Sequence, residues 1–165
     1  MIYRHLKSIL SLCVLALLSA GAMGQANKPV PKQKADSTQK RVVLKAKFGP
    51  FGQGSDVLVS DFKVIVGGDL KVIDSVSGTA WKVVKYRLGW RRKELTDDYR
   101  TGKKKILFNY TATDVYDSGK IPAAWQNEMK ANIQATEEVS FESIFVQHPV
   151  TKKMMECPPM VLKIK

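Results

Sequence analysis

The chain has 165 residues, with 27 Lys and Arg against 15 Asp and Glu, so its formal charge at neutral pH is +12. Two cysteines and two histidines exclude a disulfide-built scaffold and leave too few soft ligands for a metal centre drawn from one chain. A basic balance of this size points either to an anionic partner or to a surface of solvated lysines.

The opening "MIYRHLKSILSLCVLALLSAGAMGQA" places Arg4 and Lys7 ahead of an apolar run from Ile9 to Ala20, followed by Ala22-Met23-Gly24. That is the three-part layout of a secretory signal peptide cleaved after Gly24. The run is shorter than the roughly 20 apolar residues that span a bilayer. Residues 1–24 are therefore expected to be a signal peptide, with the protein exported to the periplasm or cell envelope. Losing Arg4 and Lys7 lowers the formal charge from +12 to +10. Export sets nucleic acid aside as a partner and leaves anionic glycan, anionic lipid or another protein. Cys157 and His148 are the only cysteine and histidine beyond the signal, so no intrachain disulfide can form and stability must come from a core.

Residues 25–40, "QANKPVPKQKADSTQK", have few large apolar side chains to offset their ordering entropy and read as a flexible linker. The domain is expected over 41–165, about 125 residues, enough for one hydrophobic core and too few for two ordinary ones.

In "RVVLKAKF", Val42, Leu44, Ala46 and Phe48 alternate with lysines, which predicts a strand with one buried face. After "GPFGQG", the segment "DVLVSDFKVIV" sets Leu58, Phe62, Val64 and Val66 on one face of a second strand, and Gly67-Gly68 supplies a tight hairpin turn to "LKVIDSV". Ser77-Gly78 turns the chain again. "AWKVVKYRLGW" carries Val84, Tyr86, Leu88 and Trp90 on one side and Trp81 and Val83 on the other, as in the middle of a sheet. Residues 91–105 read as a long charged loop leading to the strand "ILFNYTAT".

"GKIPAAWQNEMKANIQ" follows, with Ile121, Trp125, Met129 and Ile133 at four-residue spacing behind Pro122. This predicts a helix of about three turns that packs its apolar stripe on the core and crosses between sheets. In "EEVSFESIFV", the apolar residues shift from odd to even positions, which predicts a bulge near Glu142-Ser143. "VQHPVTKKMMECPP" reads as a loop, and "MVLKIK" as a closing edge strand with lysines outward. The expected fold is mainly β, an Ig-like two-sheet sandwich with one short α-helix before the last two strands.

Little here carries chemistry. His148 and Cys157 stand nine positions apart around a loop, without a third orienting group or a glycine-rich turn to present the sulfur. "GPFGQGS" lacks the Lys and following helix of a phosphate loop. No catalytic, cofactor-binding or metal-ligating residue is assigned, and no enzyme activity or cofactor is expected. The best local candidate is a binding patch. Arg91, Arg92 and Lys93 lie at one end of the charged loop and Lys103, Lys104 and Lys105 at the other. If the loop stems pair, these six cations converge around Trp90 and Tyr99 as a patch expected to bind an anionic surface, with cation–π support from the aromatic groups.

The order of "WKVVKYRL" (81–88), "SGKIP" (118–122), an apolar-striped helix, "VSFESIFV" (139–146) and "PPMVLKIK" (158–165) resembles the C-terminal domain of the gliding-motility-associated protein GldM, over roughly residues 80–165. The resemblance implies an Ig-like periplasmic module in an assembly associated with gliding and type 9 secretion. It brings no catalytic residue. The first expectation is an exported, non-enzymatic module that binds an envelope protein through the 91–105 loop or an edge strand such as 159–165, with a homo-oligomer left open. The alternative is an accessory protein that binds anionic glycan or lipid through the same basic loop.

Overall fold

The computed structural model describes residues 41–165. The expected signal peptide and linker lie outside the described residues. The elements in chain order are β1 (Leu44–Phe48), β2 (Asp56–Val57), α1 (Val59–Ile65), β3 (Leu70–Asp74), β4 (Ala80–Asp97), β5 (Lys104–Tyr116), α2 (Ala123–Asn132), β6 (Glu138–Gln147), β7 (Met154–Cys157) and β8 (Met160–Ile164). The domain is mainly β, as its alternating sequence requires.

The strands form one curled sheet in the order β1-β3-β4-β6-β8-β2, with β5 on β4 and β7 on β6. β4 and β6 run through its middle. β3 and β5 follow one another along one side of β4, and β7 and β8 follow one another along the far side of β6. The β4–β6 register slips twice, between Val83 and Lys85 and between Lys85 and Arg87. Ser143 adopts φ 46° at the expected bulge. These irregularities bend the sheet and reverse the inward phase of both strands. Trp81 and Val83 before the β4 bulge and Tyr86, Leu88 and Trp90 after it are therefore all buried in one core. Of the apolar residues expected on opposite faces of β4, all but the half-buried Val84 share that core.

Phe141 packs against Phe48 and Tyr86, with ring centroids 5.0 and 5.6 Å away. The Tyr86 hydroxyl donates to the Lys120 carbonyl at 2.8 Å, and burial pushes its phenol pKa up. α2 forms where expected, with Ile121, Met129 and Ile133 buried and Trp125 packed against the core. It joins β5 to β6, which pair with opposite sides of β4, so it crosses β4 within one sheet. Three strands follow it, not two.

The structure revises four other local expectations. Residues 59–65 are helical: Phe62 and Val66, four apart, are buried, while Leu58 and Val64 are 56% and 83% exposed. Helical spacing explains the buried pair, and of the strand expected over 56–66 only Asp56–Val57 is extended, as β2. Gly67 and Gly68 do not turn a hairpin. The positive φ of a tight turn is at Gly78 (73°), between β3 and β4, while the Gly68 N–H closes α1 by donating to the Ile65 carbonyl at 2.7 Å.

Residues 154–157, expected in a loop, form β7 against β6. β8 is not a free edge. Its outer groups bond to residues 54–59: Gly54 N–H to Val161 O at 2.9 Å, Lys163 N–H to Ser55 O at 3.0 Å and Lys165 N–H to Val57 O at 2.8 Å. Residues 159–165 therefore offer no row of unpaired groups to a partner strand.

Candidate binding surface on the β4–β5 ribbon

Residues 91–105 are not a loop. β4 and β5 pair without interruption from Lys85↔Tyr116 to Asp97↔Lys104, and only 98–103 turn. Asp98 builds that turn: its carboxylate accepts from the Arg100 N–H and the Thr101 hydroxyl, each at 2.9 Å, and these bonds hold its pKa below the usual range. Its carbonyl accepts from Gly102 at 2.8 Å, and Gly102 takes φ 65°.

The last β4–β6 pair is Arg91↔Glu138. From Arg92 to the turn, β4 and β5 therefore pair as strands only with each other, as a two-stranded ribbon.

The ribbon keeps the predicted basic residues apart. Lys93 and Lys105 are opposite Phe108 and Thr96 respectively, so the nearest members of the two clusters stand roughly 10 Å apart along the strands at about 3.3 Å per residue. Alternation sends Arg91, Lys93 and Lys104 to one face and Arg92 and Lys105 to the other, with Lys103 in the turn. The expected convergence of six cations does not occur.

The two aromatic residues are also separated. Trp90 is buried at 1% exposure and Tyr99 is fully exposed at the tip. The arginines at the root already have partners. Arg91 lies 4.2 Å from the Phe108 ring and 3.4 Å from Glu138, while Arg92 lies 4.4 Å from the Trp90 ring and 2.6 Å from Glu128 of α2.

The ribbon instead brings together a set that the charges concealed. Leu95 pairs with Ile106, Lys93 with Phe108 and Arg91 with Tyr110. All six belong to the outward face, and Leu95, Ile106, Phe108 and Tyr110 are 41–63% exposed. The apolar stripe with its two aromatic rings is rimmed by Arg91, Lys93 and Lys104, with Asp97 opposite Lys104, and forms an exposed patch of the kind that marks interaction surfaces. The alternation of Ile106, Phe108 and Tyr110 was the signal that could have found it.

The root of this face is fixed. At Gly89, a Cβ would lie 2.8 Å from Tyr110 Cε2 and would also strike the Tyr110 and Ser140 hydroxyls. Glycine therefore lets the Tyr110 ring lie across β4, where its hydroxyl reaches Glu142 at 3.0 Å. Partial burial pushes the Tyr110 pKa upward.

The His148–Cys157 pair is built differently from a nucleophile and base. His148 Nδ1 accepts from the Val150 and Thr151 N–H groups at 3.2 and 3.1 Å, and its ring meets Trp81 edge-to-face at 4.9 Å. Cys157 is buried, and burial pushes its thiol pKa up to about 11. A reactive thiolate needs the opposite shift. Among the described residues, no three His, Cys, Asp or Glu side chains gather as a metal ion would require, and no helix is long and apolar enough to cross a membrane.

No protein-family model matches this sequence, and no curated protein or solved structure is significantly similar to it. The resemblance to the GldM C-terminal domain stands on the quoted segments alone.

Proposed function

We propose that this protein is an exported, non-enzymatic protein-binding module of the bacterial cell envelope, working in an assembly of the gliding-motility or type 9 secretion kind. The setting comes from the signal-like N-terminus and the GldM resemblance. The binding role is carried by one observation: the β4–β5 ribbon presents Leu95, Ile106, Phe108 and Tyr110 on its outward face. The partner is a protein with an apolar patch bordered by carboxylates, which meets the stripe and its basic rim together. We read the curled sheet as an Ig-like pair of layers joined through β4 and β6, and the Phe48–Phe141 contact supports this reading.

The test compares capture of envelope proteins by the tagged chain and by two variants. Leu95→Ser with Phe108→Ser removes the stripe, and is expected to abolish capture while the variant stays folded. Equal capture would remove the outward face from the account.

The alternative, an anionic glycan or lipid surface, is favoured by the ribbon tip. Tyr99 is fully exposed beside Arg100 and Lys103, and Lys104 and Lys105 follow directly. Replacing Lys103, Lys104 and Lys105 with Ser separates the two readings. On the alternative, that variant loses its attachment to protein-free membrane or cell wall, and attachment of the unaltered chain falls steeply with salt.

A further inference from the structure

β1 ends the strand order, and beyond β3 its second edge is paired, among the described residues, only at Phe48. The Val43 carbonyl accepts from Ser75 N–H at 2.8 Å on the β3 side, while Phe48 exchanges N–H···O bonds of 2.9 and 3.1 Å with Phe51 on the other. By strand alternation, the main-chain groups of Lys45 and Lys47 bond toward β3 and those of Leu44 and Ala46 turn outward with Phe48. Among the described residues, nothing pairs with those of Leu44 and Ala46.

They open on a cleft of about 440 Å³ between Val43 with residues 44–47 of β1 and a wall that includes Pro158, Pro159 and Met160. A second cleft of about 260 Å³ continues it past Met155 and Glu156 and shares Val43, Leu44 and Pro158. Pro158 and Pro159 have no N–H to donate, so at these two positions the wall offers the outward carbonyls of β1 no main-chain donor.

Charge selects the occupant. Lys45 and Lys47 are exposed on the outward face of β1, and Lys71 of β3 is opposite Lys47. Like charges in direct cross-strand register repel. Among the described residues, none of the three has a carboxylate within salt-bridge distance. A strand added along this edge sets alternate side chains beside Lys45 and Lys47 and the others against Pro158 and Met160. Antiparallel pairing with β1 of a second copy would crowd lysine against lysine.

We propose that the free edge of β1 docks an extended peptide from a partner protein, in which acidic and small apolar residues alternate over about four positions, by β-strand addition. This deepens the binding-module reading, on a surface separate from the ribbon.

The test titrates the full chain with a blocked peptide of alternating Asp and Val and follows main-chain amides by NMR. Two controls are a block-ordered peptide of the same composition and an alternating Lys-Val peptide. The alternating acidic peptide is expected to protect the Leu44 and Ala46 amides from exchange and to bind at least about tenfold more tightly than either control. Ala46→Pro removes an outward donor that β3 does not use and is expected to abolish the protection. Lys45→Glu with Lys47→Glu keeps the edge and is expected to favour the Lys-Val peptide, which keeps the test decisive if the proline variant fails to fold.

No binding, equal binding of all three peptides, or binding without protection of Leu44 and Ala46 would overturn the proposal. So would protection that rises with protein concentration alone, which marks pairing between copies. The Leu95→Ser, Phe108→Ser variant is expected to bind the peptide normally, so failure of the ribbon reading and failure of this proposal are told apart.

Discussion

Trp90 Nε1–H donates to Glu137 Oε2 at 2.8 Å, and both side chains are buried. The other carboxylate oxygen accepts from the Lys93 N–H at 2.9 Å, and Oε2 also accepts from the Gln134 N–H at 3.2 Å. One carboxylate thus ties the root of the β4–β5 ribbon to the chain between α2 and β6. Beyond Arg91, where β6 no longer pairs with β4, Glu137 occupies the open β4 edge at Lys93. The ribbon projects from an anchored base.

Glu137→Ala leaves three donors without this acceptor. Hydrogen bonds to a charged group contribute about 1.5–3 kcal/mol each and do not add fully, so a loss of about 3 kcal/mol is expected. Urea unfolding should show a lower midpoint, with faster amide exchange at Lys93 than at Leu88. An unchanged midpoint would mean that the anchor contributes nothing.

Gly89→Ala is expected to cost about 1–3 kcal/mol, because a methyl group there displaces the Tyr110 ring and the Ser140 hydroxyl. Adding Tyr110→Ala should recover part of that loss, since the clash with the Tyr110 ring is removed while that with Ser140 remains. A double variant as unstable as the sum of the singles would place the strain elsewhere.

Asp74 is a buried carboxylate that accepts from the Ser77 hydroxyl at 2.5 Å, from the Val43 N–H at 3.0 Å and from the Val76 N–H at 3.1 Å. These bonds, led by Ser77, hold its pKa down at about 2. The folded-state value is depressed, so the stabilisation is fully present above the ordinary carboxylate pKa of about 4 and is lost as pH falls through about 2. Asp74→Asn should lower stability at neutral pH and flatten its decline between those values. Parallel pH profiles for the variant and the native chain would contradict this assignment.

Cys157 is 1% exposed, with its thiol pKa raised to about 11 by burial. Alkylation at neutral pH is expected to follow global unfolding and to accelerate with urea in step with it. Rapid modification of the folded protein would reopen the thiol chemistry considered from its spacing to His148.

The sequence carried the fold wherever one periodicity ran unopposed. The alternation of Leu44, Ala46 and Phe48, the four-residue spacing of Ile121, Met129 and Ile133, and the phase change at Ser143 all reached the structure intact. α1 is hidden in the sequence because Phe62 and Val66, four apart, fit both periods, while Val64 between them completes a strand-like alternation, and its 83% exposure is visible only in three dimensions.

The ribbon was misread for a different reason. Lys and Arg at 91–93 and 103–105 resemble a solvated loop, yet Ile106, Phe108 and Tyr110 keep strict alternation across from them. Of the predicted binding residues, Arg91, Lys93 and Lys104 border the outward stripe, Trp90 lies in the core, and Tyr99 stands alone at the tip. Pairing register sorted them, and the list of charges held no register.

The most direct measurement replaces single ribbon positions with a photo-crosslinking residue in the cell envelope. Position 108 belongs to the outward face and position 109 to the opposite one. The account predicts a discrete protein adduct from 108, none from 109, and loss of the adduct when Leu95→Ser is added. Equal adducts from both positions, or none from either, would contradict the claim that this face of the ribbon binds a protein partner.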